Sequence, residues 1–387
     1  VPTKRTIRSG KKAAAVTPTQ ALPYLTNAQA EDFGKKMEAI RQSILDKRGA
    51  EDAAHIRKMV KLQRQMEVGG RALIYAGVVF PPALVAGAGV LGAAKILDNM
   101  EVGHNIMHGQ YDWMRDPKIH SSKWEWDTAC PADQWKKTHN VEHHTWTNVV
   151  GMDRDVGYGL LRIAEPEKGQ PAHLLNPINN FLLATFFQWG VAFHDAEMDS
   201  ISKTGKVSDY TKGKLKGMWK KAQKQVLKDY VLFPALAGPG FLPVLGANVT
   251  ANLIRNYWTY MIIFCGHFPE GVEQFSKESV AGETKGRWYL RQLLGSANIK
   301  GGKLLHIMSG HLTFQIEHHL FPDLPSYRIP EIAPQVQAVC KEFGLPYNSG
   351  SLPRQFGTTL KRILRLAVPT ADEPKAPPPT LAQTHPG

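Results

Sequence analysis

The chain has 387 residues, 43% of them hydrophobic, and a formal net charge of +13 from 47 Lys and Arg against 34 Asp and Glu. That balance favours anionic partners such as acidic lipid, a phosphorylated cofactor or an acidic redox protein. No zinc-finger spacing or RNA-binding aromatic signature is present, so nucleic acid is not an expected partner, and the slightly negative mean hydropathy excludes a chain built almost wholly of membrane helices.

Residues 1–25 are basic and rich in Pro, Thr and Ala and read as a disordered tail; no apolar run follows Lys4-Arg5 to mark a secretory signal. Across residues 26–68, charges interleave with Phe33, Met37, Ile40 and Ile44 at helical spacing, which predicts amphipathic cytosolic helices. Residues 72–94 carry no charge and are long enough to cross a bilayer once, a span needing ~20 apolar residues. Pro81-Pro82 interrupts them, and a short hairpin is the preferred reading, with Gly69-Gly70-Arg71 and Lys95 to Asp98 near the interface. Residues 178–193 are apolar but short and contain Gln188, which favours an interfacial helix.

The stretch from Lys203 to Lys228 is strongly basic, with Lys212, Lys214, Lys216, Lys220, Lys221 and Lys224. It leads into an apolar region from Tyr230 to Phe268 with a turn at Pro239-Gly240 and Leu242-Pro243-Val244, read as a second hairpin. Arg255 and Asn256 in its second arm must face protein or water. Residues 346–387 form a C-terminal extension ending in a Pro-rich tail. The distribution of Lys and Arg places the N-terminal region, the 203–228 segment and the C-terminal region in the cytosol. The three widely spaced cysteines, Cys130, Cys265 and Cys340, form neither a C-x-x-C pair nor a disulfide framework, which fits a reducing setting. The expected fold is mainly α: a polytopic membrane protein with about four transmembrane helices in two hairpins and a helical cytosolic cap.

Three histidine clusters lie outside these apolar runs. The first is His104-Asn105-Ile106-Met107-His108. Two histidines four apart sit about 40° apart around a helix, one turn up, so both imidazoles can reach one metal. The second, His139-Asn140-Val141-Glu142-His143-His144, repeats that pair and adds an adjacent imidazole about 100° away, so the doublet can serve two neighbouring ions. The third, Gln315-Ile316-Glu317-His318-His319, again ends in a doublet. Together they hold seven of the fifteen histidines. Imidazole suits iron, zinc, copper and nickel alike, so chemistry has to choose the metal. One hairpin separates His144 from His318, an even number of crossings, so the second and third clusters share a membrane side.

With these clusters and their flanks, the chain resembles the membrane fatty acid desaturase family over roughly residues 60–345. The likeness is carried by Glu101-Val102-Gly103-His104 through Gln110, by His139 through His144 with Thr145-Trp146-Thr147-Asn148, and by Gln315 through Pro322. Within the family it looks most like bacterial acyl-CoA desaturases of the mycobacterial type; the domain is expected over residues 69–345. The resemblance implies a cytosol-facing centre of two iron ions in the cytoplasmic membrane, O2 as co-substrate and electrons from an external ferredoxin- or flavin-type reductase. The substrate it implies is a long-chain acyl-CoA or acyl lipid. It carries over His104, His108, His139, His143, His144, His318 and His319 as iron ligands, and His267 in Cys265-Gly266-His267-Phe268-Pro269 matches a further family histidine. Gln315 stands where a histidine often opens the third cluster, a variant common in desaturases with a fused cytochrome b5, and no such domain is visible. The terminal His385-Pro386-Gly387 is only a fragment of a haem-binding pattern. Regiochemistry therefore does not carry over.

His311, Gln315, Asp155 and Glu101 are further candidates for the metal or for orienting its imidazoles, and Asp153 with Asp155 for orienting them; turn roles are the competing reading for Asp153 and Asp155. Trp113, Trp124 and Trp146, from an aromatic group that includes Tyr111, Trp126 and Trp135, are candidates for an acyl-chain wall, with an interfacial aromatic belt as the alternative. The lysines between Lys212 and Lys224 are candidates for coenzyme A phosphates or anionic lipid, or a plain solvated surface. Gly87-Ala88-Gly89-Val90-Leu91-Gly92 matches a dinucleotide fingerprint, but its uncharged context points to helix packing. His139 to His143 also matches a zinc-protease pattern, which leaves the other two clusters unexplained. Glu101 to His104 matches half of a soluble carboxylate di-iron motif whose second half is missing. A hydroxylase, alkane monooxygenase or ketolase would use the same metal centre, and a non-catalytic metal carrier is the reading from another class; it predicts ligands inside the spans.

Overall fold

The computed structural model describes residues 24–165, 167, 169–196 and 205–368. The basic N-terminal tail and the terminal His385-Pro386-Gly387 lie outside the described residues. Helix α1 (Asn27–Leu45) starts at a capping box, Thr26 accepting from the Gln29 amide while Gln29 accepts from that of Thr26, an arrangement that satisfies two otherwise orphaned donors. Its buried stripe of Phe33, Met37, Ile40 and Ile44 lies on helix α9 (Lys285–Leu294). There a Cβ on Gly286 would stand 2.2 Å from the Ala30 carbonyl oxygen, so the crossing requires glycine.

Helices α2 (Ala50–Ala76) and α3 (Pro81–Leu97) form the first hairpin. The chain turns at residues 77–80, and Pro81 and Pro82 open the second arm, where a missing N–H costs nothing. The first arm is thus the end of a long helix that begins well outside the uncharged run. Helix α3 continues through a π-helical turn, Asp98–His104, to Met107; Pro81–Met107 is one helical stretch long and apolar enough to cross a bilayer. Glycines close this hairpin. A Cβ on Gly87 would lie 2.6 Å from the Ile74 nitrogen, and one on Gly92 would lie 3.0 Å from the Ile254 side chain. Of the fingerprint-like glycines, Gly87 and Gly92 serve helix packing, whereas a Cβ on Gly89 would meet open space.

Helix α4 comprises Ala132–Trp135, the π-helical Lys136–His143 and His144–Trp146. Two short helices follow, α5 (Asn176–Thr185) and α6 (Phe187–Asp195), broken at Phe186. They leave Ile178, Phe181, Leu182, Phe186 and Phe193 exposed, the surface expected of an interfacial segment. The second hairpin is α7 (Asp209–Val226), prolonged through a π turn, Leu227–Leu232, to Leu236, and α8 (Phe241–His267), with the turn at Gly238–Gly240. Helix α8 packs along α3. The cap is completed by β1 (Asn298–Lys300), α10 (Lys303–Met308), α11 (Gln315–Leu320), α12 (Ile329–Glu342), β2 (Ser349–Ser351) and α13 (Leu352–Ala367). The two strands pair in parallel, Asn298 opposite Ser349 and Lys300 opposite Ser351.

A buried ionic cluster ties the hairpins together. Lys95 Nζ lies 2.7 Å from Asp127 Oδ2 and 2.8 Å from Asp229 Oδ2. Arg71 reaches Asp229 at 3.2 Å, and Lys228 reaches Asp127 at 2.7 Å. Arg255, fully buried, donates to Asn99, Asn252, Asn256 and the Asp127 carbonyl. The charges that interrupt the apolar runs therefore face protein. Removing one partner of a buried pair strands the other. Asp229→Ala is expected to cost about 3–5 kcal/mol, read as a lowered Tm of the purified protein; an unchanged Tm would show that the cluster does not hold the hairpins.

Candidate metal centre

Two of the three histidine clusters lie on π-helical turns, one ending at His104 and the other at His143. The His139–His143 pair lies within its π turn, a form frequent at functional sites, whereas His108 follows the first π turn on α-helical residues. His104 Nε2 and His108 Nε2 stand 3.2 Å apart, and the rings of His139 and His143 stack at 5.0 Å. The short helix α11 sends its doublet two ways. His318 packs 4.9 Å from His104 and 4.7 Å from His108, whereas His319 packs 5.0 Å from His143 and 4.7 Å from His267. His144 lies between, its ring 4.7 Å from His108 and 4.4 Å from His319.

Two groups of nitrogen donors result, each converging within 4.8 Å: His104, His108, His139 and His318 in one, and His143, His267 and His319 in the other. A third set, His139, His143 and Asp155, overlaps both. Among the described residues, His139 Nε2, both nitrogens of His144, His267 Nδ1 and His318 Nε2 are buried without a hydrogen-bond partner. Such atoms are costly unless something fills the space between them. Ring nitrogens turned toward one another at these separations suit a pair of cations, and the donor set is what a borderline transition metal takes.

Burial, then repulsion from neighbouring imidazoles, holds His144, His318 and His319 well below the usual histidine range. His143 is the exception. Burial works against its charge, but the carboxylates of Asp153 and Asp155 outweigh it and raise the imidazole to about 8. Asp155 is held well below the usual carboxylate range; burial opposes this, and His143, His139 and His194 overcome it.

A layer of hydrogen bonds orients the rings from behind. His143 Nδ1 lies 3.0 Å from both Asp153 oxygens, and Asp153 also accepts from the Asn148 amide at 2.8 Å. His319 Nδ1 contacts Gln292 Oε1 and Thr147 Oγ1, each at 3.1 Å. His104 Nδ1 meets Asn105 Oδ1 at 3.1 Å. Asp155 stands 3.6 Å from His139 and 3.1 Å from His194, and Gln315 Nε2 is 3.0 Å from His267 Nε2. Gln292 carries no distinguishing spacing, whereas Asp153 is one of the two aspartates that the sequence offers as partners orienting the imidazoles.

His311 and Glu101 are placed elsewhere. His311 Nδ1 lies 3.0 Å from Glu101 Oε2, and His55 Nε2 lies 2.7 Å from Glu101 Oε1. The fully buried Glu101 thus bridges two imidazoles on the far side of the first cluster's helix, and His311 does not complete either donor group. The helical face inferred for His311 and Gln315 is lost because His311 adopts a left-handed conformation, φ 60°, before a 3-10 turn.

A narrow, mainly apolar cavity reaches the imidazoles of His104, His139, His143 and His267. Its wall includes Trp126, Trp135, Tyr158, Phe187, Val191 and Ile263. This corrects the aromatic assignment: Trp113, Trp124 and Trp146 do not line it. Trp113 is turned to the Gln110 carbonyl, Trp124 stands beside Gly103, and Trp146 packs under α1 and α9. Trp135 instead stacks on His139 at 4.3 Å.

The family model described as fatty acid desaturase matches residues 76–351. A relative named NADPH-dependent stearoyl-CoA 9-desaturase, from Mycobacterium tuberculosis, is 47% identical over 92% of this chain and 84% of its own length. The sn-1 linoleoyl-lipid 6-desaturase of Synechocystis is 25% identical over 71% of this chain and 77% of its own. An acyl-lipid 8-desaturase of Rebecca salina is 28% identical over 57% and 48%.

Two measurements follow from this geometry. Asp153→Ala frees His143 to rotate and is expected to weaken metal binding about 10–100-fold in competition with a chelator. In metal-free protein at pH 7 His143 is the charged member of the set, because its pKa of about 8 lies above the solution pH, and a ligand must be neutral. Loading metal at pH 7 should therefore release about one proton from His143, falling toward none above pH 9, as calorimetry in buffers of different ionisation enthalpy would read.

Proposed function

Because the chain belongs to the fatty acid desaturase family, we propose that it places a cis double bond at position 9 of a stearoyl-length acyl-CoA, using two iron ions, O2 and electrons from an external ferredoxin- or flavin-type reductase. It is an oxidoreductase that desaturates acyl chains. The observation that carries the finer reading is the apolar cavity ending on the imidazoles: a dry channel that holds a methylene chain against a metal site. The 47%-identical relative supports position 9 and the coenzyme A carrier, and its NADPH dependence supports a reductase partner.

In this reading His104, His108, His139 and His318 hold one ion, His143, His267 and His319 hold the other, and His144 lies within reach of both. Bound iron supplies the one-electron chemistry with O2 needed to take hydrogen from unactivated C–H bonds, which acid–base groups cannot do. The protein's residues do the rest. Asp153, Gln292 and Thr147 fix the imidazole orientations before substrate arrives. Trp126, Phe187, Val191 and Ile263 exclude water and hold the chain so that one pair of methylenes faces the centre, since a misplacement of about 1 Å can cost about a hundredfold in rate. Both hairpins enter the cytoplasmic membrane from the cytosolic side, giving about four transmembrane helices with the histidines just outside the lipid.

The test is expression in a host lacking desaturases, with double bonds mapped by mass spectrometry. A new bond at position 9 of C18 chains is expected. A hydroxylated product with no double bond would overturn the reading in favour of a hydroxylase. His143→Ala should abolish product while leaving helicity and membrane insertion intact. Val191→Trp, which fills the cavity without touching a proposed ligand, should lower turnover of C18 chains about a hundredfold at unchanged iron content.

A further inference from the structure

The third histidine cluster rides on α11, a helix of six residues, every one of them buried. A helix so short is marginal by itself, and Phe314 before it supplies no side-chain cap for its open N–H groups. Its rotation nevertheless has to be held closely. Side-chain tips stand about 5–6 Å from a helix axis, so a turn of about 10° moves the nitrogens of His318 and His319 together by about 1 Å, whereas metal–ligand distances tolerate about 0.2 Å. Apolar packing through Ile316 and Leu320 is non-directional and does not fix an angle so finely.

The directional contacts are made at Glu317, beside the doublet and fully buried. The Tyr347 hydroxyl donates to Glu317 Oε1 at 2.8 Å, and Asn298 Nδ2 donates to Oε2 at 2.9 Å. Asn298 Nδ2 also lies 2.8 Å from the Tyr347 oxygen, which closes a triangle of polar groups. The other end of the same amide, Asn298 Oδ1, accepts from the Ile316 N–H at 2.9 Å. One asparagine therefore caps the start of α11 and grips its third residue. Asn298 is itself held where β1 pairs with β2. Its N–H donates to the Asn348 carbonyl at 2.8 Å, and its carbonyl accepts from Gln355 of α13 at 3.1 Å. Tyr347, Asn348 and Gln355 all belong to residues 346–387, which the sequence sets apart as an extension beyond the catalytic domain.

We propose that Asn298 and Tyr347 are positioning residues of the metal centre: acting through Glu317, they set the rotation of α11 and so deliver His318 to one ion and His319 to the other. The C-terminal extension is thereby part of the centre. The role differs from that of Asp153, Gln292 and Thr147, which reach only His143 and His319, two members of one donor group. A latch on the helix serves both groups at once. The inference rests on the two-ion reading of the centre and adds to it what holds the third cluster in register.

The test titrates the metal-free, full-length protein in lipid nanodiscs with cobalt(II) against a competing chelator, and reads the absorption of the bound ions as well as their affinity. The unaltered protein should take up two ions. Tyr347→Phe, which removes a single oxygen, and Asn298→Ala should each weaken both ions about 10–100-fold and shift the absorption of both. Asp153→Ala, which frees His143 alone, should weaken one. Ile74→Ala, which removes buried packing in the first hairpin, should lower Tm and leave both affinities and the absorption unchanged, so that loss of stability is told apart from loss of position. Variants at 298 and 347 that bind both ions as the unaltered protein does, whatever their Tm, would overturn the latch and leave the two-ion reading standing. A loss confined to one ion would do the same. Should Asn298→Ala fail to fold, Tyr347→Phe decides alone. Uptake of fewer than two ions by the unaltered protein would overturn the two-ion reading and the latch with it.

Discussion

Eight imidazoles can be packed this tightly only if nearly all are uncharged and their lone pairs converge, the exception being His143, whose charge is met by Asp153 and Asp155. Two protonated rings at 3.2 Å, the His104–His108 separation, would repel strongly in a buried setting where little water screens them. Burial removes that possibility for His144, His318 and His319, and what remains is a set of nitrogens with nothing to accept from. Such a set of nitrogens could be satisfied by cations held between them. Most of the cap reads as a device for holding them in that arrangement: π turns at the first two clusters, a short helix that parts the third doublet, and carboxylate, amide and hydroxyl groups fixing each ring from behind.

The same logic explains which features the sequence disclosed. The three clusters, the two turns and the packing role of Gly87 and Gly92 are encoded in residue type and spacing. The site at His267 was visible only through likeness to a family, because a lone histidine at a helix end has no local signature. The π turns were not legible: they depend on the tertiary fit of neighbouring rings, and an i, i+4 pair reads identically on an ordinary helix. Nor were Gln292 and Thr147, whose role exists only because α9 and the end of α4 are brought against His319. His311 went astray because a single left-handed residue breaks the helical face that spacing assumes. Among the tryptophans, Trp126 and Trp135 carry the same composition signal as Trp113, Trp124 and Trp146, and only the path of the chain decides which of them meet the cavity.

The cavity and the ionic cluster meet at Arg255 and Asn99, which belong to both. The element that ties the hairpins together therefore also shapes the cavity proposed for the acyl chain, so on that reading stability and selectivity are not independent here. Changes to the cluster should be felt in where a chain comes to rest as well as in how well the helices hold together.

Lys95 sits in the arm of the first hairpin, yet Asp229, one of its two carboxylate partners, lies 134 residues further along. At a synthesis rate of about 5–20 residues per second, the ribosome needs roughly 7–27 seconds after making Lys95 to reach that partner. Asp127, only 32 residues on, is the counter-ion at hand during the interval. A nascent chain halted between the two holds an incompletely neutralised cation inside an apolar segment, so the first hairpin is fully neutralised only once the second has been made.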